Sequence, residues 1–315
     1  MPANMTVLLG KTGLAVSRVC VGCSPLGGTP RNYGYDVTRE RALATLRRVF
    51  AGPINFLDTS NNYGDGESER RIGAMLAELG GLPEGFVLAS KVDADPATGA
   101  FDGARTRRSL EESLARLGLS RLQLLYLHDP EVIGFQEAMR PGGAVEALVA
   151  LKEQGLTSYI GVAGGPVDML ARFVDTGVFD VLLSHNRYTL LDRSAGDLFT
   201  RAAGMGLGVV NAAVFGGGVL AKGLDRLPRY AYQEMTGAAR QRVKEMETLC
   251  AEHGASLKAV ALQFSMRDPR VHSTAVGISR PERVDEIAGL CTAVVPDILW
   301  EEIGTLSLPP EQWLY

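Results

Sequence analysis

Short apolar segments alternate with longer amphipathic segments along most of the chain. Apolar runs predict strands, and apolar positions three and four residues apart predict helices. The predicted strands are residues 19–22, 54–58, 86–91, 122–128, 158–162, 181–185, 208–211 and 271–276. The predicted helices are residues 38–50, 67–79, 104–117, 145–154, 167–176, 194–205, 259–267 and 280–290.

This alternation predicts a closed barrel. Parallel strands cannot be joined by tight turns, so each helix serves as a right-handed crossover to the next strand. Because no Gly/Ser/Pro-rich linker interrupts the series, we expect residues 1–315 to form one α/β domain, a TIM (β/α)8 barrel, rather than an open doubly wound sheet. Apolar runs at residues 7–9 and 15–21 around a glycine-containing turn predict an N-terminal β-hairpin.

Composition and charge exclude several classes of protein. The 315 residues include 32 basic and 36 acidic side chains, a net charge of −4, with no dense basic cluster, so we expect no nucleic-acid partner. No apolar stretch approaches the roughly 20 residues that cross a bilayer, and the N-terminus lacks the pattern of a secretory signal. These features predict a cytoplasmic protein without a membrane partner. The sequence does not indicate the oligomeric state.

The four cysteines are too sparse for a disulfide scaffold. Cys20 and Cys23 form a C-x-x-C pattern inside an apolar run, with no second cysteine pair or nearby histidine to complete a zinc site. We therefore expect buried, inert thiols.

Ionisable residues end three of the predicted strands: Asp58, Lys91 and His128. In a barrel of this type the C-terminal strand ends share one rim, which carries the chemistry. Tyr63 follows Asp58 in the same loop. We expect the Lys91 ammonium to lower the pKa of Tyr63 from its usual value near 10, with Asp58 as the counter-ion of the lysine. His128 is expected to hydrogen-bond a substrate oxygen, so the group is suited to proton transfer.

The residues around Asp58 resemble a known signature. The segments FLDTS at 56–60, YG at 63–64 and GESE at 66–69, followed by Gly73, are similar to the signature of the aldo-keto reductases. Lys91 and His128 stand at matching strand ends. The resemblance implies hydride transfer between nicotinamide C4 and a carbonyl or alcohol carbon, without a metal. It implies that Tyr63 is the general acid in reduction and the general base in oxidation.

The expected contacts to the nicotinamide end depart from the family pattern. Where the family usually has a Ser-Asn pair that holds the carboxamide, this chain has Ala163 and Gly164, so backbone groups or water must substitute. After the strand at 181–185, His185 and Asn186 are candidates for the carboxamide, and a structural role is the alternative for both.

Two further predictions concern the loop after residue 211. Phe215 is a candidate replacement for the tyrosine that stacks on the nicotinamide in many family members, because the aligned position here is Ala212. Gly216 and Gly217 would let backbone N–H groups approach a pyrophosphate, unless they serve only as flexible linkers.

The adenosine end bears on the choice of cofactor. A lysine and a serine that contact the 2′-phosphate in the NADP-binding pattern are replaced by Gly277 and Ile278. Arg280 and Arg283 remain available to bind a phosphate. One cation and one hydroxyl are lost, so we expect NAD as the cofactor, with NADP as the alternative.

The segment NRYTLLDR at residues 186–193 resembles the aldose dehydrogenases of the family. The resemblance implies oxidation of the anomeric carbon of a galactose-, fucose- or arabinose-type sugar to a lactone, or the equivalent oxidation of pyridoxal. Two alternatives are an NADPH-dependent reductase of aldehydes and ketones and a cofactor-sensing binding module. The expected partner is thus a small sugar or aldehyde.

Long loops at the C-terminal face are expected to select the substrate. They span residues 129–143, 215–237 and the tail at 306–315. We expect the tail aromatics Trp313 and Tyr315 to pack on the barrel, and stacking on a sugar or pyridine ring is the alternative.

Overall fold

The computed structural model describes residues 6–231 and 233–314, except for the side chains of residues 31 and 32. The strands are β1 (Thr6–Leu8), β2 (Ala15–Ser17), β3 (Val19–Gly22), β4 (Phe56–Asp58), β5 (Val87–Val92), β6 (Leu122–His128), β7 (Thr157–Gly164), β8 (Val181–His185), β9 (Gly208–Ala212), β10 (Arg229–Tyr230), β11 (Gln233–Glu234) and β12 (Ser273–Gly277). The helices are α1 (Pro30–Tyr33), α2 (Arg39–Phe50), α3 (Glu67–Leu79), α4 (Gly103–Leu117), α5 (Phe135–Met139), α6 (Ala144–Glu153), α7 (Val167–Asp175), α8 (Gly196–Gly204), α9 (Val219–Lys222), α10 (Gly237–Glu252), α11 (Leu257–Arg267), α12 (Glu282–Thr292) and α13 (Asp297–Gly304).

Parallel strands close into a barrel in the order β12-β3-β4-β5-β6-β7-β8-β9. Each strand pairs with its neighbour in the chain, and β12 completes the ring by pairing with both β3 and β9. Apolar residues from several strands, including Cys20, Phe56 and Tyr126, fill the interior. The predicted TIM barrel is confirmed, and the predicted ends of its strands lie within two residues of the observed ends.

The predicted hairpin is also confirmed. β1 and β2 pair antiparallel, with Thr6 opposite Ser17. Leu9 and Val16 are fully buried and join the apolar interior of the barrel. The backbone N–H of Lys11 donates to the carbonyl of Gly206, immediately before β9, so the hairpin covers the end of the barrel at which the strands begin.

Several helices were not predicted from the sequence. α10 is the longest of them, and the residues before it were assigned to a loop at 215–237 that in fact contains α9, β10 and β11. The hydroxyl of Thr236 accepts a hydrogen bond from the backbone N–H of Ala239, an N-cap that marks the start of α10. α13 and the short α5 were missed as well.

The cysteines are buried and free, as expected. Burial raises the pKa of the Cys20 thiol and of the Cys23 thiol well above the usual value, and the nearby carboxylate of Asp58 adds to the shift. No helix in the described part of the chain has the length and apolar character needed to cross a bilayer.

Candidate active site

Lys91 and Asp58 form a buried ion pair at the C-terminal rim. Asp58 is the last residue of β4, and Lys91 is the next-to-last residue of β5, the adjacent strand. The Nζ atom of Lys91 lies 2.5 Å from Oδ1 of Asp58, 2.7 Å from the carbonyl oxygen of Thr59 and 3.1 Å from the hydroxyl of Tyr63. All three ammonium hydrogens therefore have partners.

The loop after β4 carries Tyr63 to this ion pair. Its first residues extend the barrel pairing, since the N–H of Thr59 donates to Ala89 and that of Asn61 donates to Lys91. Gly64 follows with φ 62°, and a Cβ there would overlap the backbone of Gly27. Only glycine fits this close approach, which holds the tyrosine over the rim.

The structure contradicts the expectation that Lys91 lowers the pKa of Tyr63. Burial and then the carboxylate of Asp58 raise the pKa of Tyr63 well above 10. The ammonium of Lys91 is paired with that same carboxylate at 2.5 Å, so it does not offset these effects. The phenol is therefore neutral at physiological pH.

His128, the last residue of β6, faces Tyr63 and is bound from behind by a carboxylate. The two rings lie edge to face, with centroids 5.6 Å apart. The Nδ1 atom of His128 lies 2.5 Å from Oδ1 of Asp93 and 3.2 Å from Oγ of Ser60. Burial alone would lower the pKa of His128, but Asp93 and Asp129 outweigh it and raise that pKa above its usual value.

Asp93 was missed by sequence reasoning, although it follows Lys91 by only two residues. It is 6% exposed, and its second carboxylate oxygen accepts hydrogen bonds from the Ser60 hydroxyl and from the N–H of Asn62 at 3.0 Å. Arg105 of α4 donates from Nε to the carbonyl oxygen of Asp93 at 2.9 Å. The single available signal was the position of Asp93 just beyond β5.

Asp129 links His128 to His185 across the rim. It has φ 40°, and its carboxylate oxygens lie 3.7 Å from Nε2 of His128 and 3.5 Å from Nε2 of His185. The two histidines hold the pKa of Asp129 well below its usual range, although burial opposes this. Asp129, His185 and Glu131 are half-buried and bring oxygen and nitrogen atoms within 4.8 Å of one another. The expectation of no metal stays a prediction.

Glu131 takes the place of the side chain that is absent at Gly164. One carboxylate oxygen accepts a hydrogen bond from the N–H of Gly165 at 3.3 Å. A Cβ on Gly164 would lie 2.9 Å from the other oxygen. Ala163, the neighbouring predicted contact, is fully buried and accepts a hydrogen bond from the N–H of Asp129. Nothing in the local sequence indicated that Glu131 reaches this point.

His185 ends β8 and has a ring nitrogen within 4.8 Å of a Glu131 carboxylate oxygen, and Asn186 is the next residue. The side-chain nitrogen of Asn186 lies 3.2 Å from Nδ1 of His185. Asn186 has φ 60° and is 3% exposed. The structure thus brings the predicted contacts after β7 and β8 together, and their roles toward a cofactor stay predictions.

The predicted contacts after β9 are largely engaged within the protein. Phe215 is buried in the hydrophobic core, so it presents little ring surface for stacking. The N–H of Gly216 donates to the carbonyl of Ala213, and a Cβ at Gly216 would overlap the ring of Tyr230. Gly217 has φ 73°. Packing thus explains Gly216 without a cofactor.

The two arginines near the predicted adenosine end share one carboxylate. Gly277 ends β12, and Arg283 lies in α12. Glu286 lies 3.6 Å from the guanidinium of Arg280 and 3.7 Å from that of Arg283, and it also binds Lys258. The sequence analysis did not identify Glu286 as a partner of these arginines.

The tail packs on the loop after β8. The Trp313 indole donates to the carbonyl of Leu308 at 2.8 Å, and the N–H of Leu314 donates to Asp192 at 2.6 Å. The expected packing is confirmed for Trp313, which lies against the hydrophobic core, and Tyr315 lies outside the described residues.

Comparisons with known proteins identify the family of this chain. Residues 18–307 match the sequence model of the Aldo/keto reductase family. An L-galactose dehydrogenase of Arabidopsis thaliana is 33% identical over 281 residues, which cover 88% of this chain and 85% of that protein. A D-threo-aldose 1-dehydrogenase of Pseudomonas sp. is 30% identical over 324 residues, covering 95% and 96%. A pyridoxal 4-dehydrogenase of Microbacterium luteolum is 28% identical over 337 residues, covering 95% and 96%.

Solved structures show the same fold. The holo form of an aldo-keto reductase from Bacillus halodurans matches with a TM-score of 0.78 at 22% identity, covering 97% of this chain and 96% of that chain. The family match includes all eight strands of the barrel. The chain therefore belongs to the aldo-keto reductase family, whose members use nicotinamide cofactors, and is an oxidoreductase that acts on CH–OH or carbonyl groups.

Proposed function

We propose that this protein oxidises the anomeric carbon of an aldose, or of pyridoxal in its hemiacetal form, to a lactone with NAD as the hydride acceptor. The observation that carries the proposal is the joint approach of Tyr63, His128 and the Lys91–Asp58 pair to one point on the rim. The similarity to aldose and pyridoxal dehydrogenases supports the substrate class. We also propose that residues 1–315 act as a single domain.

The catalytic residues in this proposal are Asp58, Tyr63, Lys91 and His128. A substrate oxygen between the phenol of Tyr63 and the imidazole of His128 would receive two hydrogen bonds that orient it. Lys91 holds the phenol oxygen at 3.1 Å, and Asp58 keeps the lysine in place. These side chains thus position the substrate hydroxyl that loses its proton.

The polar groups near Gly164 fit a nicotinamide carboxamide. Buried acceptors at Glu131 Oε2 and Asn186 Oδ1 lack a hydrogen-bond partner among the described residues, as does the buried donor Nε of Arg187. A carboxamide offers an NH₂ group and a carbonyl oxygen, which match these acceptors and this donor. We propose that this region, with His185 and the backbone of Gly164, holds the nicotinamide, which accepts the hydride when bound. Ala163, Phe215, Gly216, Gly217, Gly277 and Arg283 remain proposed contacts along the cofactor.

The contacts of Glu286 support NAD rather than NADP. Its carboxylate lies within 4 Å of both Arg280 and Arg283, so their charge is partly neutralised. A 2′-phosphate would have to approach this carboxylate, at a cost from like-charge repulsion. The ribose 2′-hydroxyl of NAD carries no such charge.

Turnover of a substrate panel tests the proposal. Galactose-, fucose- and arabinose-type aldoses and pyridoxal are incubated separately with NAD and NADP, and the reduced cofactor is followed by absorbance. We expect NAD-dependent turnover of at least one of them with formation of a lactone. If none of these substrates is oxidised and simple aldehydes are reduced with NADPH, the proposal is contradicted and the reductase alternative is favoured.

A single variant tests the assignment of Tyr63. Tyr63→Phe removes the hydroxyl that contacts Lys91, so we expect turnover to fall by about 10²- to 10⁴-fold with an unchanged dissociation constant for NAD. Tyr159→Phe, which changes a tyrosine in β7, serves as the control. Equal activity of the two variants would remove Tyr63 from the mechanism.

A further inference from the structure

Asp129 presents a carboxylate beside the place that the proposed function gives to the reacting oxygen. That oxygen lies between Tyr63 and His128 when a substrate is bound. Oδ2 of Asp129 lies 3.7 Å from Nε2 of His128, which is too far for a hydrogen bond between the two side chains. The two atoms are therefore able to bind two neighbouring oxygens of one ligand.

The backbone and His185 fix the direction of this carboxylate. Asp129 has φ 40°, and its N–H donates to the carbonyl of Ala163 at 2.8 Å. Its own carbonyl accepts a hydrogen bond from the N–H of Val132 at 3.1 Å. Oδ1 faces Nε2 of His185 at 3.5 Å. One carboxylate oxygen is thus turned toward His185, and the other is turned toward His128.

The carboxylate of Asp129 is both accessible and ionised. Its side chain is 44% exposed, so a ligand at the rim can reach it. Burial opposes ionisation, but His128 and His185 hold the pKa of Asp129 well below its usual range. An ionised carboxylate only accepts hydrogen bonds, so a ligand group that binds it must be a donor. In a sugar such a donor is a hydroxyl.

The short distance between Asp129 and His128 selects the position of this hydroxyl on the substrate. In an aldose the 2-hydroxyl is attached to the carbon next to the anomeric carbon, so it lies beside the anomeric oxygen. In the hemiacetal of pyridoxal the neighbouring carbon belongs to the aromatic ring and carries no hydroxyl, and the phenolic oxygen is one bond further away. A simple aldehyde has no such hydroxyl.

Resting on the proposed function, we propose that Oδ2 of Asp129 accepts a hydrogen bond from the 2-hydroxyl of an aldose, while Tyr63 and His128 bind the anomeric oxygen. Asp129 is thus a specificity-determining residue. It selects aldoses with a free 2-hydroxyl over pyridoxal, 2-deoxy sugars and simple aldehydes.

A pair of sugars measures this contact. A galactose- or fucose-type aldose and its 2-deoxy analogue are compared by kcat/KM with NAD. Because a hydrogen bond to an ionised group is stronger than one between neutral groups, we expect wild type to prefer the parent sugar by about 10- to 100-fold. Asp129→Gly suits the positive φ and removes the acceptor, so it should lose this preference. Asp129→Asn keeps a neutral acceptor and should retain part of it.

Two controls separate this contact from a structural role. Asp65→Asn is the matched control, since Asp65 is exposed, has φ 53° and lies in the loop after β4. It should keep the preference of wild type. The 2-deoxy analogue lacks the group that Asp129 binds, so wild type and Asp129→Gly should oxidise it at similar rates. An equal fall with both sugars in Asp129→Gly would overturn the proposal, and so would equal kcat/KM values for both sugars in wild type.

Sugar binding gives a readout that does not need turnover. Each sugar is titrated by calorimetry into the protein saturated with NADH, and we expect wild type to bind the parent sugar more tightly than Asp129→Gly does. If wild type oxidises pyridoxal but no aldose, the inference is overturned and the proposed hydride transfer stands. If wild type oxidises neither with NAD or NADP, the proposed function is contradicted. The calorimetric comparison then still decides the role of Asp129, because equal binding of both sugars, or no binding, would overturn it.

Discussion

The Nζ atom of Lys91 lies 2.5 Å from Oδ1 of Asp58, and the two side chains are only 1% and 7% exposed. Two adjacent barrel strands thus present opposite charges to each other inside the rim. Each charge depends on the other, because an isolated ion in such a site would lose most of its hydration without compensation.

Removing the cation should therefore destabilise the fold as well as the site. For Lys91→Met we expect the free energy of unfolding to fall by about 3–5 kcal/mol, measured by urea denaturation. The double variant Asp58→Asn/Lys91→Met should recover part of this loss. Lys152→Met is the matched control, since its pair with Asp180 is 34% and 25% exposed and should contribute about 0–1 kcal/mol. Equal losses in the two lysine variants would contradict the buried-pair interpretation.

Gly73 permits the close approach of α3 and α4. A Cβ at this position would overlap the carbonyl oxygen of Arg116, so Gly73→Ala must push the helices apart. We expect a loss of about 1–3 kcal/mol in the free energy of unfolding from overpacking. Gly289→Ala in α12 meets no atom within 4 Å, and it should instead stabilise the protein by about 0.5–1 kcal/mol. Thermal denaturation of both variants checks the opposite signs.

Glu286 is expected to disfavour NADP. Glu286→Gln keeps the size of the side chain and frees the charge of Arg280 and Arg283, so the ratio of kcat/KM for NADP to that for NAD should rise about 10-fold. Glu282→Gln changes the net charge of the same helix equally at an exposed position, and it should leave the ratio near that of wild type. A ratio that moves equally in both variants would assign the effect to net charge alone.

The pair of His128 and Asp93 should make stability depend on pH. Because the folded-state pKa of His128 is raised, its contribution is complete below the unfolded value of 6.5 and is lost as pH rises through the folded value. The difference in unfolding free energy between wild type and Asp93→Asn should therefore be larger at pH 5.5 than at pH 9. Urea midpoints at the two pH values measure it, and a difference that grows with pH would contradict the ion pair.

The barrel could be predicted from the sequence because short segments of the chain carry the patterns that define its strands and helices. Apolar runs of strand length alternate with amphipathic segments, and parallel pairing follows from the crossovers between them. α10 was not predicted because it has few apolar positions, and the N-cap Thr236 was its only sequence signal.

The sequence by itself determined the barrel, its hairpin and the rim positions of Asp58, Lys91 and His128, since strand ends of a parallel barrel meet at one edge whatever lies between them. Only the tertiary structure decided the partners of these groups. Three carboxylates are examples: Asp93 binds His128, Glu131 lies beside Gly164, and Glu286 lies between two arginines. They belong to loops or helices, and no local sequence pattern encodes the direction of their side chains. The pKa of Tyr63 also depends on burial and on the carboxylate of Asp58, which act through distances that exist only in the folded chain.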